Sequence, residues 1–193
     1  MLTLTQAQTI LKRHVQEPHL LNHALAVSAA MGAMAVHFNE EPDHWRAIGY
    51  LHDVDYEKFP EEHLQHAEEL LTPEGVEAAD IRAVLSHGWG ICSEAEPQTN
   101  MEKSLYTIDE LTGIVAASAK MRPQGLSDLG VKSVMKKFKD KSFAARCDRG
   151  IILAGCDMLG LELSCVMELV IEGMRTEMEA LELGPKEQLT IDN

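Results

Sequence analysis

Apolar residues recur along this chain at intervals of three and four. Leu163, Val166, Met167, Val170, Met174, Met178 and Leu181 form one stripe about five turns long. Leu105, Ile108, Thr112, Val115 and Ala119 form a second. Leu20, Val27, Met31 and Met34, filled in by Ala24 and Ala30, form a third. Strand-like alternation is nearly absent, so the pattern predicts an all-α fold. Breakers then divide the helices. One helix starts at Pro18 and reaches about His37. A short one follows Pro42-Asp43 and runs to about Leu51. Phe59-Pro60 precedes a helix over about 61–71, and Thr72-Pro73-Glu74-Gly75 separates it from one over about 77–86. Gly88-Trp89-Gly90 opens a loop to about Asn100, and a long helix over about 102–120 ends before Arg122-Pro123-Gln124-Gly125. A basic helix, an intermediate helix and the long last helix complete a bundle of about eight or nine. Gly184-Pro185 stops the last helix. Residues 1–184 are expected to form a single domain, with 185–193 a fraying tail.

With 193 residues, 45% hydrophobic and 25% charged, the chain has the balance of a globular domain and not of a disordered one. No apolar run approaches the ~20 residues of a membrane span, and Met1–Thr9 does not read as a signal peptide. Cys92, Cys147, Cys156 and Cys165 have no CxxC spacing, and are read as reduced thiols of a cytoplasmic protein. The net charge of −14 argues against binding a nucleic-acid polymer or an anionic membrane, both of which require a positive face. The charge is nevertheless uneven. Between Lys132 and Arg149 stand seven basic residues and two acids. Such a cluster on an acidic chain reads either as a solvated helix face or as contacts for a small anion. Lys132, Lys136 and Arg149 are the candidate substrate-binding residues.

All nine histidines lie between His14 and His87. His23 falls on an apolar stripe. His52-Asp53 ends a short apolar helix. Asp109 sits mid-helix beside Ile108, where a carboxylate is costly unless paired or metal-bound. His66 and His87 are further candidates. A mixed nitrogen and oxygen set of this kind suits a divalent Mn, Fe, Co, Ni or Zn ion, and Mg is kept as a further candidate cofactor. His14, His19, His37, His44 and His63 read as surface or core residues without a metal.

His23, then His52-Asp53, then Asp109 resembles the HD superfamily of metal-dependent phosphohydrolases, and in particular a branch of predicted HD-domain hydrolases of about this length. The flanking segments Asn22-His23-Ala24-Leu25-Ala26-Val27, Leu51-His52-Asp53-Val54-Asp55-Tyr56-Glu57-Lys58 and Asp109-Glu110-Leu111-Thr112-Gly113 carry the likeness. So do Val131-Lys132-Ser133-Val134 and the stretch from Phe138 to Ala144. The resemblance implies a helical HD bundle in which His23, His52, Asp53 and Asp109 hold a divalent metal. It also implies that His66 and His87 hold a second ion or contact phosphate. Asp53 would be the central catalytic carboxylate. Asp55 is a candidate for proton transfer, with a turn-capping role as the alternative. The implied activity is hydrolysis of a small phosphorylated molecule, a nucleotide or phosphate ester, by metal-activated water. The rival reading is a regulatory module that binds a nucleotide or metal without turnover. Val54-Asp55 follows the His-Asp pair here, where well-studied signalling branches have Ile-Gly. The sequence leaves the oligomeric state open.

Overall fold

Pro18 opens a core helix that runs to His37. Its fixed backbone angle suits the first helical turn, where no amide donor is needed. Just ahead of it, the Glu57 carboxylate accepts from the backbone N–H groups of Gln16 and Glu17 at 2.7 and 2.9 Å. The structure, a computed structural model, describes residues 1–186. Within them the order is α1 (Leu4–His14), α2 (Pro18–His37), α3 (Pro42–Leu51), α4 (Ala67–Leu71), α5 (Ala78–Ser86), α6 (Asn100–Lys120), α7 (Val131–Lys139), α8 (Arg149–Leu159) and α9 (Leu163–Thr176). The fold is all-α with nine helices and no strand among the described residues.

Helix α2 is buried along most of its length, from Ala24 to Ala35, and packs on α3, α6 and α9. By length and composition it could cross a bilayer. This corrects the expectation that no apolar stretch is long enough, since Asn22, His23 and Ser28 interrupt the apolar residues without breaking the helix. In the fold α2 is a core helix walled in by three others. Two glycines set how closely its neighbours approach. A Cβ on Gly49 of α3 would stand 2.8 Å from Met31 Cγ, and one on Gly173 of α9 would stand 2.5 Å from the Ala29 carbonyl oxygen. Gly173→Ala therefore forces backbone apart and is expected to cost about 3 kcal/mol, read by denaturant unfolding. An unchanged midpoint would mean that α2 and α9 do not approach in this way.

The sequence expectation differs from the structure in three places. The segment over 61–71 is not one helix. A 3-10 turn at Pro60–Glu62 is followed by Leu64 in a left-handed conformation (φ 67°), and α4 starts only at Ala67. Leu64 is buried in the core, and the Asp55 carboxylate holds the chain on either side of it. The last apolar stripe outlives its helix. α9 stops at Thr176, yet Leu181 and Leu183 tuck back into the core through turns that include Glu182 at φ 57°. Burial, not helical periodicity, places those leucines. Finally, α1 lies outside the helices expected from the breakers, although Thr3 and Gln6 form a capping box visible in sequence as T-x-x-Q. At the other end, Lys186 N–H donates to the Pro123 carbonyl at 2.9 Å, and the rest of the expected tail, 187–193, lies outside the described residues.

Helix α6 carries Asp109, and its start is heavily tied. Thr99 and Glu102 form a capping box, and Glu102 also accepts from Gln98 N–H at 2.6 Å and pairs with Arg82. Burial alone would raise the Glu102 pKa. The Thr99 and Gln98 amides and the Arg82 guanidinium outweigh it and hold it below the ordinary value. A carboxylate depressed in the folded state contributes stability that is complete above its unfolded pKa and lost as pH falls through the folded one. Glu102→Gln is expected to cost about 2–3 kcal/mol at neutral pH. The deficit should shrink below the ordinary glutamate pKa, as the wild type loses this contribution. A deficit independent of pH between neutral and acid unfolding would contradict the assignment.

Candidate metal centre

His52 caps the C-terminal end of α3, and Asp53 begins the turns that leave it. That position lets two adjacent side chains converge, which a strand would not allow. The Asp53 Oδ2 atom lies 3.2 Å from His52 Nε2 and 3.6 Å from His23 Nε2 on α2. Asp109 Oδ1 on α6 lies 2.9 Å from His23 Nε2 and 3.4 Å from His52 Nε2. The other Asp53 oxygen, Oδ1, faces a different pair. It is 3.3 Å from His63 Nε2 and 3.6 Å from His87 Nε2, at the end of α5. Asp53 thus stands between two groups of donors, each fixed by different elements of the fold.

The remaining ring nitrogens show which way these imidazoles are committed. The Nδ1 atoms of His52, His63 and His87 point outward to the Gly49 carbonyl (2.8 Å), the Asp55 carboxylate (2.9 Å) and the Val84 carbonyl (2.7 Å). Each outer nitrogen then carries the proton, and a neutral ring turns its Nε2 lone pair inward. His52 Nε2 meets His23 Nε2 at 3.1 Å, and His63 Nε2 meets His87 Nε2 at 3.2 Å. Two lone pairs at that separation repel unless a cation lies between them. Around an ion with bonds of about 2.1 Å, neighbouring donors stand about 3.0 Å apart in an octahedron and about 3.4 Å in a tetrahedron. The donor separations, 2.9–3.6 Å, fit either. His23, His52 and Asp109 form one group able to hold an ion, and His52, Asp53 and His87 another.

Without a metal, a proton takes the cation's place. Burial opposes a charge on His52, which is fully enclosed, but the Asp53 and Asp109 carboxylates outweigh it and hold its pKa well above the usual value. Burial likewise works against the Asp53 charge, and His52, His87 and His23 more than offset it, holding the carboxyl well below the usual range. The same is true of Asp109 through His52 and His23. Both carboxylates are therefore ionised near neutral pH, as a metal ligand must be.

Three sequence expectations need correction. His66 is not in the cluster. Its ring stacks on Phe59 at 3.9 Å and pairs with Glu62 at 2.9 Å, and only its backbone N–H reaches inward, to Asp55. His63 occupies the place expected of it, because the 3-10 turn and the left-handed Leu64 point residue 63 at Asp53. Asp55 is fully buried with one oxygen on His63 Nδ1 and the other on His66 N–H, and it does not line the cleft. It orients His63 from behind and does not itself face the cleft. Lys132 and Lys136 are exposed on α7 and also stay clear of the cleft. The Arg149 guanidinium is spent on carbonyl oxygens: Ala144 and Cys147, both at 2.7 Å, and Phe143. The cation that does line the cleft is Arg146.

Asp55→Asn keeps the shape but weakens the contact that orients His63. Metal affinity of the site shared by His63, His87 and Asp53 is expected to fall about 10–100-fold, read by competition with a chelating dye. Unchanged affinity would remove Asp55 from this role.

The cluster opens to solvent through a cleft of about 520 Å³. Tyr56, Ile91, Tyr106 and Ile151 supply its apolar walls, and Glu110 and Arg146 its charged ones. Ionised oxygens and imidazoles at the floor of such a cleft can fix a divalent ion beside a bound ester, and phosphate chemistry uses that arrangement. Comparison with curated proteins and with solved structures finds no significant match. Comparison with protein families finds one: the family described as HD domain matches residues 20–113, a span that contains His23, His52, Asp53, His63, His87 and Asp109. Together with the His/Asp cluster, that match suggests a metal-dependent phosphohydrolase. Residues 20–113 are an HD domain, a phosphohydrolase domain of the HD superfamily.

Proposed function

We propose that the chain hydrolyses a small phosphorylated substrate, a nucleotide or another phosphate ester, at a centre of one or two divalent ions. The observation that carries this reading is the placement of Asp53, whose two oxygens face His23 with His52 on one side and His63 with His87 on the other. Asp53 Oδ2, His23, His52 and Asp109 would hold one ion, and Asp53 Oδ1, His63 and His87 a second. When bound, such an ion supplies a water acidic enough to attack phosphorus near neutral pH and positive charge against the phosphoryl oxygens. The chain does the rest. His52 and His87 are locked by backbone carbonyls, and His63 by Asp55, so little reorganisation is left for the reaction. Tyr56, Tyr106 and Ile91 offer apolar surface for the ester's organic part, and Arg146 offers charge to an anion at the mouth.

The test is an assay of protein stripped with chelator and reloaded with Mn, Mg, Co or Ni. The panel holds an aryl phosphate, nucleoside monophosphates, cyclic nucleotides and polyphosphorylated nucleotides. Turnover with at least one metal, lost on chelation and regained on reloading, is the expected result. Full metal occupancy with no hydrolysis across the panel would contradict it and favour a binding module. The panel also separates monoester from diester chemistry.

A further inference from the structure

Four of the seven arginines are paired with carboxylates: Arg13 with Glu74, Arg46 with Glu177, Arg82 with Glu102 and Arg122 with Asp128. Arg149 and Arg175 donate to backbone carbonyls. Arg146 is the one arginine with neither kind of partner among the described residues, and it is exposed at the metal-centre cleft. In a chain of net charge −14, where acids outnumber bases 31 to 17, an unpaired arginine at that place is not explained by a shortage of acids.

Arg146 and Cys147 also line a second recess, of about 530 Å³. Its other charged residues are Lys139, Lys141, Arg149 and Asp148. Lys139 and Lys141 are exposed and have no carboxylate partner among the described residues. Asp148 is already committed, since its Oδ1 caps α8 by accepting from Gly150 N–H at 2.7 Å and Ile151 N–H at 3.4 Å. Cations gathered in one recess repel each other, and an anion there relieves that repulsion. The recess is held in shape from within, because the Arg149 guanidinium gathers the carbonyls of Phe143, Ala144 and Cys147 and so pins the loop that carries Arg146. The rest of the surface is acidic and repels a polyanion. A small molecule feels that field only within a screening length of about 8 Å.

We infer that this recess is a second anion subsite adjoining the metal centre, and that the substrate carries two anionic groups, one at the metal centre and one at Arg146, Lys139 and Lys141. The inference rests on the phosphohydrolase reading and specifies its substrate class: a phosphate ester with a second phosphate or carboxylate.

Alkane bisphosphonates of three to eight carbons, compared with the matching monophosphonates, test it without turnover. Binding to the Mn-loaded protein is measured by calorimetry. At one or more chain lengths the bisphosphonate should bind about tenfold tighter or more, and added salt should shrink the gain. In Lys139→Gln/Lys141→Gln and in Arg146→Gln the gain should fall below about twofold. Monophosphonate binding with no gain at any length, or a gain that survives both variants, would overturn the second subsite while leaving the phosphohydrolase reading intact. No binding by any phosphonate would overturn that reading and the subsite with it.

Discussion

Asp53→Asn is expected to lose roughly 1,000-fold or more in kcat/KM and to purify with metal content near background. The substitution keeps the side chain's shape and removes one charge. That charge is shared by two groups of imidazoles, through Oδ2 at 3.2 Å from His52 and through Oδ1 at 3.3 Å from His63. An amide offers one acceptor where the carboxylate offers two, and its nitrogen would turn donor hydrogens toward one of the groups. No neighbouring residue replaces the lost charge, because Asp109 reaches only the His23 and His52 side and Asp55 lies behind His63. Metal analysis and unfolding on the same preparation check the result. A folded variant with full metal content and wild-type turnover would show that Asp53 is not a ligand.

His63→Ala should lower activity by about 100-fold or more and reduce metal binding by about one ion per chain, while His66→Ala stays within about twofold of wild type. The two histidines are three residues apart and would share a face of a continuous helix. They do not share one here, because Leu64 is left-handed and buried between them. His63 points at Asp53 and His87, and His66 points at Glu62 and Phe59. The opposite ranking, with His66 indispensable and His63 dispensable, would mean that the 60–66 segment is arranged differently in the working protein.

That pair also shows where reading the sequence reached its limit. Helical periodicity located α2, α3, α5 and α6, and those helices carry or end at His23, His52, His87 and Asp109, so most of the cluster was legible. His63 was not, because its direction depends on a 3-10 turn and one left-handed residue that no periodicity reports. Asp55 explains that direction only once the fold is known: it is buried, and its carboxylate takes His63, eight residues on, as a partner. The basic segment posed a different problem. Counting charges located it, but cannot tell that the Arg149 guanidinium is consumed by carbonyls while Arg146 is left facing the cleft. Lys132 and Lys136 share α7 with Val134 and Phe138, whose burial turns the lysines outward. The apolar stripe running past Thr176 misled for a related reason, since turns can bury Leu181 and Leu183 as well as a helix does.

The most direct test is anomalous diffraction from crystals loaded with Mn, collected on both sides of the metal absorption edge. The account predicts a strong peak within bonding distance of His23, His52, Asp53 Oδ2 and Asp109, and a second beside Asp53 Oδ1, His63 and His87 when both positions fill. A folded, metal-loaded protein with its peaks elsewhere, or with no peak at Asp53, would contradict it.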